Sequence, residues 1–311
     1  LGPFDYTREN YTRLLWFFEG FTDYMAHVIM LRAGVTGERD FHRMLAEDWP
    51  KYAMRPGRNE TPLDELSFEA WIKQYKPSEN YVNRAVSYYE RGLWTGMALD
   101  IELRLATRGR RGLPEMFRRM WERLAKAGWA ITETDVREAA AAIAGKRLDR
   151  FFERYVHGTD ELDLPALWRR AGLTAAARPD WDLGGKPPAD RDAVRARRAR
   201  AWTGIDLHPD RTLVRNVVPG SPAWRAGITF GDDIVAVDGA RVNAATFAKR
   251  VGDADPGARV PIAFFRRDLL REATVTLAES PARTWTVATD PHAGARASAV
   301  RAGWLAGARR A

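Results

Sequence analysis

Leu14-Leu15-Trp16-Phe17-Phe18-Glu19-Gly20-Phe21-Thr22-Asp23-Tyr24 sets one carboxylate where a core helix would place another apolar side chain. Around it, from Glu9 to Ala33, apolar residues recur at helical spacing: Leu14, Leu15, Phe18, Phe21, Met25, Val28 and Ile29. The spacing predicts one long helix, ended by Gly34. Burying Glu19 without a partner is costly, so the pattern asks for a cation or donors opposite it. Asp23 follows at i+4, on the same helix face. That spacing suits one carboxylate on a metal and a second that orients a neighbouring ligand. Taken alone, the stretch reads first as a helix whose Glu19 reaches solvent or pairs with an arginine, and second as a metal site.

Outward from this stretch the pattern stays helical. Segments are expected over Asp40–Met54, from Leu63 behind a Thr61 cap and Pro62, over Ser87–Thr107 and Leu113–Lys126, and again from Thr132 and over Leu148–Val156. Alternating patterns are almost absent before residue 200, so residues 1–175 read as all-α. Between 176 and 199, Pro179, Gly184-Gly185, Pro187-Pro188 and the arginine run from Arg191 to Arg200 have linker chemistry. From Trp202 the period switches to 2, with strand-like Thr212–Val218, Ile234–Val237, Val260–Phe265 and Ala273–Leu277. Short helical pieces are expected near Ala223–Arg225 and Ala244–Val251. Residues 281–311 carry too weak a signal to assign.

Composition bounds the chemistry. Zero cysteines exclude disulfides and Cys-ligated metals. The five histidines, His27, His42, His157, His208 and His292, include no i, i+4 pair, so no HExxH helix is present. No run of roughly 18 uninterrupted apolar residues occurs, so no membrane-spanning helix is expected. The net charge of +8 is concentrated after residue 180. Its arginine run reads as a solvated linker rather than a nucleic-acid surface, because aromatic residues do not interleave it.

The order Gly204-Ile205-Asp206-Leu207, Val218-Pro219-Gly220-Ser221-Pro222-Ala223, Gly231-Asp232 and Asp238-Gly239 resembles a bacterial-type PDZ domain over residues 200–280. Ser221 would cap a one-turn helix with Pro222 at its first position. The resemblance implies that the Gly204–Leu207 loop offers backbone N–H groups to a peptide's terminal carboxylate while the peptide adds as a strand. A tethered domain without a ligand is the competing reading.

A second motif, Val86-Ser87-Tyr88-Tyr89-Glu90-Arg91-Gly92, follows the Glu19 stretch by about 70 residues. Together with Leu31–Gly34, Ser67–Ile72, Leu99-Asp100 and Phe151-Phe152, the pair resembles the glycyl-aminopeptidase family. Its members are gluzincin, thermolysin-like zinc metallopeptidases that carry a PDZ domain. The resemblance implies a multidomain chain, with an all-α C-terminal lobe of the catalytic domain followed by a small α/β PDZ domain. It also implies that Glu19 is a ligand of a catalytic Zn2+ and that Asp23 holds a zinc-binding histidine. Tyr89 would donate to the tetrahedral intermediate, with Tyr88 as the fallback. The expected activity is that of an aminopeptidase acting on a peptide or protein substrate and favouring small N-terminal residues such as Gly or Ala.

The chain departs from the family in lacking HExxH, hence two zinc ligands and the general base. It is therefore expected to be a C-terminal fragment, inactive alone. The alternative is a non-catalytic adaptor whose PDZ module binds peptide termini. Cysteine usage fits a bacterial periplasm or cytoplasm equally.

Overall fold

The stripe around Glu19 does become helical, though not as one continuous α-helix. A computed structural model describes residues 5–127, 130–180 and 200–305. Residues 9–13 lie outside any helix, and Arg13 is drawn instead to Asp64, its Nη1 3.0 Å from Oδ2. Trp16–Gly20 form a π-turn, closed by the Phe21 N–H on the Trp16 carbonyl, before helix α1 (Phe21–Arg32). The extra residue in that turn rotates the inward stripe. Trp16, Phe17, Phe21, Tyr24, Val28 and Leu31 are buried, whereas Ile29 is 58% exposed. With no helical turn before it, the Trp16 N–H finds the Ser67 hydroxyl at 3.0 Å.

The chain continues through α2 (Glu38–Ala53), α3 (Leu63–Phe68), α4 (Tyr81–Arg84), α5 (Tyr88–Thr107), α6 (Leu113–Ala127), α7 (Glu133–Ala144), α8 (Asp149–Tyr155) and α9 (Leu164–Arg170). Helix α5 is the central one, with Trp94, Met97, Leu99, Ile101 and Leu103 buried. Ser87 caps it, accepting the Tyr89 N–H at 3.2 Å. Thr132 and Asp135 form a capping box at α7. The expected Thr61 cap does not form. Its hydroxyl donates to the Arg84 carbonyl at 2.8 Å, and the N–H groups of Leu63 and Asp64 donate to the Val156 carbonyl instead.

Strand β1 (Leu173–Pro179) leads out of the helices. Contacts divide the chain into residues 177–284 and a second unit made of 1–176 together with 285–311. The run from 181 to 199, which holds most of the predicted linker and all of the Arg191–Arg200 run except Arg200, lies outside the described residues.

The 177–284 unit contains β2 (Ala201–Trp202), β3 (Ile205–Leu207), β4 (Val214–Val217), α10 (Pro222–Arg225), β5 (Asp233–Val237), β6 (Ala240–Arg241), α11 (Ala244–Gly252), β7 (Arg259–Arg266), β8 (Leu269–Thr276) and β9 (Ala278–Glu279). An antiparallel sheet runs β6-β5-β7-β8, and β3 pairs with β4. Ile234, Val237, Ile262, Phe264 and Val275 fill the core. Ser221 caps α10 with Pro222 at its start. Asp232 is fully buried, and Arg266 grips both of its oxygens at 2.7 Å.

The chain then returns through β10 (Arg283–Thr289), paired with β1, and α12 (Ala295–Leu305). The fold is therefore an insertion rather than the simple succession expected of a lobe followed by a PDZ domain. Trp304 is fully buried, and its indole N–H donates to Tyr24 Oη at 2.7 Å. Tyr24 in turn donates to Asp100 Oδ2 at 2.6 Å. Asp100 also accepts the Leu113 N–H at 2.7 Å and faces Arg104 Nε at 3.1 Å. Burial, then the Asp100 charge, raise the Tyr24 pKa well above that of an ordinary phenol. Among the described residues no helix is long and apolar enough to cross a membrane.

Candidate active site

Two glycines decide where the carboxylate and the phenols meet. A Cβ on Gly20 would lie 2.4 Å from Gly92 Cα, and one on Gly92 would lie 2.7 Å from the Trp16 carbonyl oxygen. The π-turn and α5 therefore touch backbone to backbone. One turn along, Gly96 leaves room for the Phe21 ring, 2.8 Å from where its own Cβ would be. This contact brings Glu19, next to Gly20, against the first turn of α5, which carries Tyr88 and Tyr89.

Glu19 is half-buried, and Tyr89 is partly buried. Burial raises the Tyr89 pKa. The Glu19 charge and a hydrogen bond to Glu19 raise it further, against an opposing hydrogen bond from Tyr88. The result is a phenol held protonated beside a carboxylate. The Tyr88 and Tyr89 rings stack with centroids 4.8 Å apart and 29° between planes. Tyr88 is buried, and its hydroxyl sits 2.9 Å from that of Tyr75.

The remaining expected residues are placed less centrally. Asp23 is solvent-exposed on α1, and His27 further along is half-buried. Glu90, adjacent to the phenols in sequence, lies 3.6 Å from Arg55 rather than beside Glu19. Burial raises its pKa, with Arg55 opposing the shift. Tyr75 escapes a motif reading, because only its exposed position after a second π-turn at Ala70–Gln74 brings it to Tyr88.

The donor set bears directly on a metal. Glu19 supplies one anionic oxygen ligand of the kind zinc accepts. Among the described residues no group of three His, Asp or Glu side chains is arranged to hold a metal. The residues present therefore fit one arm of a zinc site, not the whole.

In the other unit, Gly204 adopts φ +85°, and a Cβ there would fall 2.1 Å from Ser221 Cβ. The Val218 N–H donates to the Gly204 carbonyl at 2.9 Å. Ile205 N–H is engaged by Thr203 Oγ1 at 3.1 Å, and Asp206 pairs with Arg215 Nη2 at 2.7 Å. Ile205–Leu207 thus form β3, bonded along one side to β4, with no strand on the other side among the described residues. The Gly204–Leu207 segment is an edge strand entered by a tight glycine turn.

Residues 1–94 match the family model of the M61 glycyl aminopeptidase, and residues 213–264 match that of a PDZ domain. The chain is thus similar to a glycyl aminopeptidase over its first 94 residues and to a PDZ domain over residues 213–264. An aminopeptidase N family protein from Idiomarina loihiensis shares its fold, with TM-score 0.80 and 24% identity. That match covers 97% of this chain, and the chain spans 50% of the length of that structure. A serine endoprotease from Yersinia pestis matches 29% of this chain and 33% of its own, at 26% identity and TM-score 0.25. An HtrA-type protease bound to a decapeptide matches 26% of this chain and 30% of its own, at 21% identity and TM-score 0.25. No curated protein matches the sequence.

Proposed function

We propose that this chain is part of a zinc aminopeptidase, with Glu19 as one zinc ligand and Tyr89 as the donor to the developing oxyanion. The observation that carries the reading is the placement of the Glu19 carboxylate against the Tyr89 phenol through the Gly20–Gly92 contact. Bound zinc would lower the pKa of its water and polarise the scissile carbonyl.

This chain's own residues supply the rest of the argument. Glu19 offers a fixed anionic oxygen, held in place by the π-turn rather than by a flexible loop. Its charge and the partial burial of Tyr89 keep the phenol protonated at neutral pH, so the hydroxyl donates a hydrogen bond and does not compete as an anion. Loss of one such preorganised donor typically costs about 2.7–4 kcal/mol of transition-state stabilisation. Asp23, exposed one turn beyond Glu19, is free to orient a histidine contributed from outside these residues. The preference would be for small N-terminal residues such as Gly or Ala. The PDZ unit would hold a peptide as an added strand along β3, with its carboxylate at the Gly204 turn.

The test uses the full-length protein. Glu19→Gln should lower zinc stoichiometry, measured by atomic emission. Tyr89→Phe should cut kcat by roughly 100- to 1,000-fold with zinc content unchanged. Full activity in Glu19→Gln, or zinc loss in Tyr89→Phe, would show the roles to be wrong. The 311-residue chain alone should neither retain zinc in stoichiometric amount nor turn over a glycyl substrate.

A further inference from the structure

Glu19 sits between two fixed points of backbone. Downstream, Gly20 meets Gly92. Upstream, Trp16 is fully buried, its carbonyl takes the Phe21 N–H that closes the π-turn, and its own N–H donates to Ser67 Oγ at 3.0 Å. Ser67 lies in the last turn of α3 and is 1% exposed. A serine inside a helix can be satisfied by its own backbone, and Ser67 does donate to the Leu63 carbonyl one turn back, at 3.1 Å. That bond spends its hydrogen and leaves the oxygen to accept from Trp16, 51 residues away in sequence.

A second tie runs beside the first. Arg13 Nη1 reaches Asp64 Oδ2 at 3.0 Å, and its guanidinium carbon stands 4.8 Å over the Phe68 ring. Asp64, Ser67 and Phe68 are spaced i, i+3 and i+4, so one face of α3 receives the chain from 13 to 16. Helix α3 is itself hung from the Val156 carbonyl by the N–H groups of Leu63 and Asp64, at 2.9 and 3.2 Å. It splints the segment that leads into the π-turn.

The Ser67 hydroxyl opposes a competing arrangement. Apolar spacing from Glu9 onward favours a continuous α-helix, in which the Trp16 N–H would bond to the Thr12 carbonyl. Ser67 takes that N–H instead, and residues 9–13 stay unwound. The Trp16 carbonyl accepts from Phe21, where an α-turn would offer the Gly20 N–H. One inserted residue offsets the two sides of a helix by about 100°. Without it, Trp16 and Gly20 cannot both stay against Gly92, and Glu19 between them loses its fixed direction. We propose that Ser67 is a positioning residue for Glu19: its hydroxyl keeps the Trp16 N–H out of helical register and so holds the π-turn open beside α5. The proposal rests on the reading of Glu19 as a zinc ligand.

Two measurements test this. Gly20-Phe21 is the only Gly-Phe step in the chain, so carbonyl-labelled glycine with amide-labelled phenylalanine leaves one resonance, from the amide that closes the π-turn. In the 311-residue chain, Ser67→Ala should move that resonance and speed its hydrogen exchange about tenfold. Ser67→Thr keeps a hydroxyl that can reach the carbonyl four residues back and should leave the resonance in place, whereas Ser67→Val, matched in shape, should move it. A serine that only fills space would not separate these two. In the full-length protein, Ser67→Ala and Ser67→Val should weaken zinc binding about 10- to 100-fold in competition with a chelator, and Ser67→Thr should not. An unmoved Phe21 amide in Ser67→Ala, equal shifts in Ser67→Thr and Ser67→Val, or wild-type zinc affinity in Ser67→Ala would each overturn the proposal. Weak zinc binding in Glu19→Gln alongside any of these leaves the ligand reading standing and removes the role of Ser67 alone. Unchanged zinc affinity in Glu19→Gln would overturn both.

Discussion

Gly20→Ala is the substitution that most directly probes how the site is assembled. Alanine is the better helix former by about 1 kcal/mol, so at an unobstructed helical position the change would stabilise the protein. Here the added Cβ would meet three backbone atoms, Gly92 Cα at 2.4 Å, Gly92 C at 2.6 Å and Leu93 N at 2.9 Å. Backbone cannot swing aside as a long side chain can. Restoring an ordinary contact of 3.4 Å requires the π-turn and α5 to separate by the difference, about 1 Å. Overpacking a tight contact costs about 1–3 kcal/mol, and a backbone-only contact belongs at the upper end. After the propensity gain the net loss is about 2 kcal/mol. For a unit of this size that lowers Tm by about 4–8 °C in calorimetry. The same separation moves Glu19 away from Tyr89, and a misplacement of about 1 Å is worth up to about 100-fold in turnover. Gly294→Ala is the matched control, because nothing lies within 4 Å of its added Cβ. It precedes α12, where alanine caps less well than glycine, so it should lower Tm by no more than about 3 °C. If Gly20→Ala matched Gly294→Ala in Tm, the backbone contact would not exist and the account of the site's assembly would fail.

Other outcomes follow from the same structure. Tyr24→Phe removes the donor to Asp100 and the acceptor for the Trp304 indole, both buried, and should cost about 2–5 kcal/mol in urea denaturation; a loss below about 1 kcal/mol would mean that α12 is not held by this network. Arg266→Met leaves the fully buried Asp232 carboxylate with only the Thr229 N–H, and should destabilise the 177–284 unit by about 3 kcal/mol. An unchanged calorimetric transition for that unit would contradict it. Burial raises the pKa of both Tyr24 and Tyr52 in the fold, so each favours the native state while neutral. Their contribution is intact below about pH 10 and declines above it, because the unfolded chain releases its protons first. The expected slope is about 2.7 kcal/mol per pH unit, seen as tyrosinate absorbance rising together with loss of helical signal. Ionisation of these phenols in a still-helical protein would refute it.

What the sequence showed and what it hid divide along physical lines. Local chemistry was legible. Ser87 starting α5 and Ser221-Pro222 starting α10 are decided within one turn of chain, and the structure has both. Glu19 stood out because a charge in an apolar stripe is costly wherever the stripe packs. The length of the first helix was misread because a π-turn leaves no mark on apolar periodicity except a stripe out of phase. Here Phe21 is buried and Ile29 exposed, although both fit the ideal period. Thr61 looked like a cap, but the Val156 carbonyl, far away in sequence, accepts the N–H groups at the start of α3. Tyr75 is a long-range case as well, since its partner Tyr88 is fixed by the path of the segment from 75 to 87. Asp100 was visible as a carboxylate among apolar residues and could have been treated as Glu19 was. Of its partners, Arg104 lies one turn along the same helix, but Tyr24 and the Leu113 N–H come from two other segments.

The insertion of the 177–284 unit explains why the last segment carried so weak a signal. A helix that must stand alone needs a clear apolar face, and α12 has none of the length or contrast for it. It needs only to fill a gap in a core that the first 176 residues already built. Val300, Trp304 and Leu305 do this, and a Cβ on Gly303 would fall 1.8 Å from the Gly109 carbonyl oxygen. Strands β1 and β10 pair side by side, so the chain leaves and re-enters the helical unit at neighbouring points. A whole domain can be accommodated at such a position without stretching the core on either side. The consequence for the site is direct. Trp304 is bonded to Tyr24, which lies on α1 five residues after Glu19, and Tyr24 is bonded to Asp100 on α5, the helix that begins at Tyr88. The residues after the 177–284 unit therefore tie together α1, which follows the turn that carries Glu19, and α5, which begins with the phenols.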